Sequence, residues 1–132
     1  NLFVSIFFTI DKINLSLKQM TKINCLLIKK LLSFYYKGKI TVKEPNDLLI
    51  NKKKISGILQ EKITKSNQTF IIVGIGINLI KSPYIIKYPT TNLFALTNVK
   101  IDKNNVILKL KKIYEKYIPE FSKFNLINID KI

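Results

Sequence analysis

Three short segments of the sequence contain residues whose types and spacing could do chemistry. They are Lys43-Glu44-Pro45-Asn46-Asp47, Lys53-Lys54-Ile55-Ser56-Gly57-Ile58-Leu59 and Gly74-Ile75-Gly76-Ile77-Asn78. In the first segment, a proline turn presents an amide and a carboxylate, which can orient the polar atoms of a ligand or a metal-bound phosphate. The alternative for this segment is a plain turn beside a solvated lysine.

The other two segments place glycines inside apolar stretches that otherwise read as strands. Glycine weakens a strand by about 0.5–1 kcal/mol relative to alanine, so Gly57 indicates either a bulge or close approach of a ligand to the backbone. Lys54, three residues earlier, would bring an ammonium group to such a ligand. Gly74 and Gly76 either expose backbone to a ligand or relieve a crowded sheet, and Asn78 can both donate and accept hydrogen bonds.

Periodic apolar residues and turn residues predict the elements that position these segments. We predict strands at 2–10, at 40–43 with a continuation at 48–50, at 54–63 and at 69–77, and helices at about 15–36 and 103–117. A tight reversal is expected at Asn51-Lys52 and a polar loop at 64–68. The first and last strands read as fully buried. The first helix has an apolar stripe of Leu17, Met20, Ile23, Leu27, Leu31 and Phe34. Gly38 is expected to end this helix, and Asp102 to cap the second. The inner stripe of the second helix is predicted to be Val106, Leu110, Ile113 and Tyr117. The order β-α-β-β-β-α predicts an α+β domain with helices packed on a mixed or antiparallel sheet.

The composition limits the possible classes of function. The formal net charge is +15, all 23 basic residues are lysines, and there is no Arg, His or Trp. Because the lysines are spread along the chain and no arginine can read guanine edges, we attribute the charge to compositional bias and expect no nucleic-acid partner. Without His, a zinc site or a Ser-His-Asp triad cannot form within the chain. The single Cys25, expected to be buried, indicates the cytoplasm, and no apolar run approaches the ~18–20 residues that span a membrane.

Taken together and in this order, the three segments resemble the biotin protein ligase family. That family carries Lys-Trp-Pro-Asn-Asp, then a lysine leading to Gly-Ile-Leu, then Gly-x-Gly-x-Asn. This sequence has KEPND, KISGIL and GIGIN in the same order and at similar spacing. NLFVSI is similar to the family strand that follows its arginine-glycine loop. The resemblance spans roughly residues 1 to 118 and implies the class II aminoacyl-tRNA synthetase-like catalytic domain of the biotin ligases.

The resemblance implies a ligase that uses ATP, biotin and Mg²⁺. In this family, biotin and ATP form biotinyl-5′-AMP. A lysine of a biotin carboxyl-carrier protein, or of such a domain in acetyl-CoA carboxylase, then displaces AMP. The implied catalytic residues are Lys54 and Asp47, and Lys43 has a supporting role. The implied biotin contacts are Lys54, Gly57, Ile58 and Leu59, and the implied nucleotide contacts are Asn46, Gly74, Gly76 and Asn78. No residue is assigned as a metal ligand of its own.

The sequence departs from the family in three places. Glu44 replaces the family tryptophan, so this side chain either faces solvent or pairs with a lysine. The arginine-glycine loop expected before Asn1 and the small C-terminal barrel are missing, so we expect residues 1–132 to be a partial catalytic domain with little turnover alone. Three alternatives are a non-catalytic or truncated biotin-binding remnant, a lipoate ligase relative, and a basic nucleic-acid-binding module. Exposed edge strands would favour a homodimer.

Overall fold

The residues that the structure describes form an antiparallel sheet with α-helices packed on one of its faces. A computed structural model describes residues 1–9 and 15–119. The elements in chain order are β1 (Leu2–Thr9), α1 (Leu17–Leu32), β2 (Thr41–Lys43), β3 (Asp47–Ile50), β4 (Lys53–Lys65), β5 (Gln68–Ile77), α2 (Leu93–Thr97) and α3 (Lys103–Tyr117). The sheet order is β1-β5-β4-β3-β2, and each neighbouring pair is antiparallel. The predicted α+β class is confirmed, with the antiparallel arrangement.

Two tight turns set the register of the three central strands. Asn51 and Lys52 both have positive φ, and so do Ser66 and Asn67. Paired positive φ values are typical of two-residue hairpin turns, whose twist matches that of the flanking strands. The first turn is the predicted reversal. The second is shorter than the predicted loop at 64–68, so β4 and β5 extend further towards each other.

Helices α1 and α3 cover one face of the sheet. The strand residues that point into this core include Leu2, Phe8, Leu48, Ile50, Ile58, Ile71, Val73, Ile75 and Ile77. A hydrogen-bonded chain of polar side chains joins α3, α1 and β4 inside this core. The Tyr114 hydroxyl donates to Asn24 Oδ1 at 2.8 Å, and the Asn24 amide donates to Gln60 Oε1 at 2.6 Å. The polar groups are therefore paired where water is excluded, which is what their burial requires.

The two ends of the predicted α1 stripe were wrong. The helix begins after Ser16 and ends at Leu32, and Leu17 on its first turn is exposed. The following residues form single 3₁₀-type bonds, with the Phe34 N–H donating to the carbonyl of Leu31, so Phe34 leaves the helix surface and is exposed. Gly38 lies beyond the helix end and does not have positive φ. It is therefore not the terminator that we predicted.

Helix α3 follows its prediction more closely. Asp102 caps it by accepting a hydrogen bond from the Asn104 N–H at 3.3 Å. Of the predicted stripe, Val106, Leu110 and Ile113 are buried and Tyr117 is partly buried, whereas Tyr114, which the stripe omitted, is buried. None of the helices in the described ranges is long and apolar enough to cross a lipid bilayer.

No helix of the described ranges covers the second face of the sheet. Phe3 and Phe7 of β1 are 82% and 72% exposed, and Leu59 of β4 is also exposed. In β5, the residues on this face, among them Gly74 and Gly76, are only half-buried. The prediction of two fully buried strands was therefore wrong, because β1 and β5 alternate between a covered and an open face. Ile10, the last residue of the predicted first strand, lies outside the described residues.

Candidate functional site

The open face of the sheet carries a cleft of about 600 Å³. One row of residues crosses its floor from β1 to β3. Phe3 pairs with Gly76, Gly76 pairs with Gly57, and Gly57 pairs with Asp47. The two central positions of this row have no side chain, so the backbone itself forms the floor. The result is a trough with an aromatic ring at one end and a carboxylate at the other.

The glycines of the floor provide space rather than unusual backbone angles. No glycine among the described residues has positive φ. A Cβ atom added at Gly57 would lie 3.0 Å from Lys54 Cε, and one added at Gly76 would lie 3.3 Å from Phe3 Cε1. A methyl group at either position would therefore press against a side chain of the open face, so these glycines relieve local crowding; the approach of a ligand to their backbone stays a prediction.

A β-bulge brings Lys54 onto the open face. Consecutive residues of β3 pair with Ser56 and Lys54 of β4, so Ile55 is an extra residue without a partner in that register. Ile55 and Ser56 are both buried. Strict alternation from Ser56 would have pointed Lys54 into the helix-covered core. Because of the extra residue, Lys54 shares a face with Asp47 and Gly57.

The Lys54 ammonium is held by two side chains at one end of the cleft. Its Nζ atom lies 3.1 Å from Asp47 Oδ1 and 3.4 Å from the Tyr88 hydroxyl. The side chains of Lys54 and Asp47 are 21% and 17% exposed. Burial by itself lowers the pKa of Lys54, but the hydrogen bonds to Asp47 and Tyr88 more than offset this, so its pKa is raised. The ammonium is therefore charged at neutral pH.

The backbone of Lys54 is fixed to the segment that follows β5. Its N–H donates to the carbonyl of Pro89, and its carbonyl accepts from the Thr91 N–H, both at 2.9 Å. The Asn78 side-chain amide donates to the carbonyls of Lys54 and Thr91, at 3.3 and 3.0 Å. Asn78 therefore ties together the two chain segments that border the cleft.

The start of β3 is clamped to β4 through Asn46. The Asn46 side-chain amide donates to the carbonyl of Ile58 at 2.8 Å, and the Ile58 N–H donates to the carbonyl of Asn46 at 3.0 Å. The Ile58 side chain is buried in the helix-covered core, so only its backbone faces the cleft. Leu59, the next residue, points its side chain to the open face.

All nine residues predicted for the site line this one cleft. They are Asn46, Asp47, Lys54, Gly57, Ile58, Leu59, Gly74, Gly76 and Asn78. Their individual roles towards a ligand stay predictions. Lys43, the predicted supporting lysine, lies nearby with its Nζ atom 5.1 Å from the centre of the Tyr88 ring.

The sequence prediction missed the part of the site that comes from the segment after β5. Pro83, Ile85 and Thr90 line the cleft, and Tyr88 contacts the ammonium of Lys54. This segment has no apolar periodicity from which its path could be inferred. The available signal was the concentration of prolines and tyrosines between residues 83 and 89, which is typical of an ordered loop.

Two further residues behave as the sequence led us to expect. Cys25 is buried, and burial, followed by the charges of Asp47 and Glu44, raises its pKa to about 11. The thiol is therefore protonated at neutral pH and is a structural rather than a nucleophilic group. Glu44 is exposed, which matches the first of its two alternatives.

Comparison with known proteins places the chain in a family. The sequence model of the biotin/lipoate A/B protein ligase family matches residues 2–78, which is more than half of the chain. The chain belongs to this family. Over 80 residues it is 38% identical to the bifunctional ligase/repressor BirA of Bacillus subtilis (strain 168), covering 57% of this chain and 25% of that protein. Over 84 residues it is 30% identical to the biotin–[acetyl-CoA-carboxylase] ligase of Mycobacterium tuberculosis, covering 64% of this chain and 30% of that protein.

A solved structure of a biotin/lipoate ligase family member shares the fold. The biotin protein ligase from Aquifex aeolicus in complex with biotin and ATP superposes with a TM-score of 0.75 at 27% identity. The match covers 92% of this chain and 51% of that protein. The chain thus spans a quarter to a third of the curated relatives that it matches, and about half of the Aquifex enzyme.

Proposed function

We propose that the protein activates biotin with ATP as biotinyl-5′-AMP and transfers the biotinyl group to a lysine of a biotin carboxyl-carrier protein or domain. The single observation that carries this proposal is the Lys54 ammonium held beside a floor of paired glycines, Gly57 and Gly76. The names of the relatives support biotin as the acid and acetyl-CoA carboxylase as the source of the acceptor domain.

The cleft suits a small molecule that has a compact ring system and a carboxylate. The glycine floor lets rings lie against the backbone, and Phe3 and Leu59 provide apolar surface on the open face. Lys54 lies at the Asp47 end of the same row of residues. We therefore propose that the fused rings of biotin lie across β4 and β5 and that its carboxylate points towards Lys54.

The chemical step explains why a fixed cation is useful there. A carboxylate oxygen of biotin attacks the α-phosphorus of ATP, and the bond to the β-phosphate breaks. Its electron pair leaves with pyrophosphate. Negative charge is crowded at the α-phosphate during this step, and a positioned cation in a partly buried cleft stabilises such charge more than water does. The raised pKa of Lys54 keeps the amine charged at neutral pH.

Asp47 has two proposed roles. It holds Lys54 through the 3.1 Å ion pair, and it is the only acidic side chain among the described residues that line the cleft. The described ranges contain no group of three or more His, Cys, Asp or Glu side chains that could bind a metal alone. Mg²⁺ is usually held by one or two carboxylates together with substrate phosphates. A single carboxylate fits that pattern, so we propose that magnesium, which neutralises phosphate charge, binds with ATP and contacts Asp47.

We also propose a domain, a compartment and an oligomeric state for this reaction. We infer that residues 1–132 form part of a catalytic domain, since they match about half of the Aquifex enzyme. We propose the cytoplasm as the compartment, which is consistent with a single reduced cysteine, Cys25. In the described sheet, β1 and β2 are edge strands, where a second copy can pair to form a homodimer. Sedimentation analysis tests the homodimer.

Biotin-dependent exchange of ATP with pyrophosphate tests the proposed activation step. In the purified full-length protein, we expect exchange with biotin and none with lipoate. Exchange with lipoate alone would show that the protein is a lipoate ligase. Calorimetric binding of biotin without exchange would show a non-catalytic binding protein. If neither acid binds and nucleic acid binds with an affinity that falls steeply with salt, the ligase proposal is wrong.

A further inference from the structure

Tyr88, which the sequence analysis did not assign to the site, contacts two lysines that it did, Lys54 and Lys43. The Tyr88 ring centre lies 5.4 Å from Lys54 Nζ and 5.1 Å from Lys43 Nζ. Its hydroxyl also lies 3.4 Å from Lys54 Nζ. A cation within about 6 Å of an aromatic face is attracted by the negative charge of that face. A single half-buried ring therefore interacts with both ammonium groups.

We propose that Tyr88 is a positioning residue that holds the Lys54 ammonium in its place over the glycine floor. This inference rests on the proposed function, in which Lys54 stabilises the charge of the reacting carboxylate and phosphate.

Lys54 needs a second contact because its side chain is long. A lysine carries a compact charge on a flexible four-carbon stem, and the ion pair with Asp47 fixes the distance to one oxygen only. With Asp47 on one side and the Tyr88 ring and hydroxyl on the other, the ammonium has two separate partners. Without the ring, the side chain is free to rotate about its contact with Asp47.

The segment that carries the Tyr88 ring is hydrogen-bonded to the backbone of Lys54. The carbonyl of Pro89 accepts a hydrogen bond from the Lys54 N–H, and the Thr91 N–H donates one to the Lys54 carbonyl. A short parallel bridge joins Lys54 and Thr90. Tyr88 precedes Pro89, whose carbonyl accepts the Lys54 N–H, so a movement of the segment moves the ring together with the Lys54 backbone. The distance between ring and ammonium is therefore set locally rather than by distant packing.

Substitutions at Tyr88 test the role by separating the ring from the hydroxyl. We expect Tyr88→Leu to lower kcat of biotin-dependent exchange about tenfold, equivalent to about 1.4 kcal/mol, with a smaller change in KM for biotin. Tyr88→Phe keeps the ring and should stay within about threefold of the parent, and Tyr88→Trp should restore most of the activity because indole binds cations best. Tyr84→Leu, on the same segment but 90% exposed, is the matched control and should have parental activity. Equal losses in Tyr88→Leu, Tyr88→Phe and Tyr88→Trp would overturn the proposal.

A second measurement reads the lysine directly and does not depend on catalysis. Competitive acylation of amines, followed by mass spectrometry of the Lys54 peptide across pH, reports the pKa and reactivity of that amine. We expect Tyr88→Leu to lower the pKa of Lys54, whereas Tyr84→Leu should leave it unchanged. An unaltered Lys54 titration in Tyr88→Leu would overturn the positioning role. Absence of exchange in the parent protein would instead contradict the proposed function, and the acylation result would still decide the role of Tyr88.

Discussion

The two faces of the sheet are built from the same strands but differ in what their side chains do. On the covered face, branched aliphatic residues such as Val73 and Ile75 pack against α1 and α3 and are buried. On the open face, the intervening positions of the same strand are Gly74 and Gly76. From Val73 to Ile77, each β5 residue therefore differs from its neighbour by a full side chain, because alternate residues meet either a core or a cleft.

Because of this difference, the covered face contributes mainly to folding stability and the open face contributes the candidate site. Apolar area removed from water contributes to folding on the covered face, whereas missing side chains and a paired ammonium create a site on the open face. We therefore expect substitutions on the covered face to change the free energy of unfolding and leave the cleft chemistry intact. Substitutions on the open face should do the reverse. Four variants test this comparison.

The largest effect is expected for Leu27→Ala on the covered face. Leu27 of α1 is fully buried, and truncating a buried leucine costs about 2–5 kcal/mol of unfolding free energy because it leaves a cavity. Urea denaturation followed by circular dichroism measures this cost. Leu108→Ala, at an exposed position of α3, is the matched control and should change stability little. Similar losses in both variants would mean that the helix-covered face is not the main core.

Lys54→Ala removes the cation of the open face. We expect adenylate formation to slow by ~100-fold or more, the scale for losing one charge-stabilising group. The unfolding free energy should change by less than about 1 kcal/mol, because the ion pair with Asp47 is partly solvated. Lys53→Ala, the exposed neighbour in the hairpin, is the control. Activity of Lys54→Ala within about twofold of the parent would remove Lys54 from the mechanism.

Tyr114→Phe tests the polar chain inside the covered core. The substitution removes the hydroxyl that donates to Asn24 and leaves a buried oxygen without that partner, at a cost of about 1–3 kcal/mol. Exchange activity should be unchanged at temperatures where the variant is folded. Tyr84→Phe, which alters an exposed tyrosine, provides the baseline. A Tyr114→Phe protein as stable as the parent would show that Asn24 finds another donor.

The smallest effect is expected for Gly57→Ala, and it should appear in activity rather than stability. The added methyl group would lie 3.0 Å from Lys54 Cε, so the flexible lysine must shift. A misplaced catalytic group slows the reaction, here by about tenfold, while the unfolding free energy should stay within about 0.5 kcal/mol of the parent. Parallel measurements of exchange and thermal unfolding decide the matter. A fall in stability without a fall in activity would contradict the separation of the two faces.

The sequence predicted the parts of the molecule that depend on local pattern. The Asn51-Lys52 turn, the buried stripe of α3 and the three site segments all depend on spacing or on turn chemistry, which neighbouring residues determine. One-sided coverage of the sheet was not predictable in this way. In β1, residues on both faces are apolar, so Phe3 and Val4 look alike in sequence although only Phe3 is fully exposed.

Tertiary contacts determined the remaining features. The end of α1 at Leu32 depends on backbone hydrogen bonds of the following turn, which no residue type in this stretch predicts. Tyr88 reaches Lys54 through a segment whose course is set by its bridge to β4. All nine proposed site residues nevertheless border one cleft. The glycines indicated a special site because glycine weakens a strand, whereas the assignment of the other site residues came from the family resemblance of the three segments.

The bulge at Ile55 has a consequence for how the hairpin between β3 and β4 can vary. An exposed two-residue turn normally tolerates a change in length, since loops on the surface are free to grow or shrink. Here, inserting a single residue between Leu48 and Leu49 would give Ile55 a partner and restore strict alternation in β4, which would turn Lys54 to the other side and bury its charge in the helix-covered core. Relatives that keep the same chemistry should therefore conserve the number of residues in this stretch more strictly than their identity.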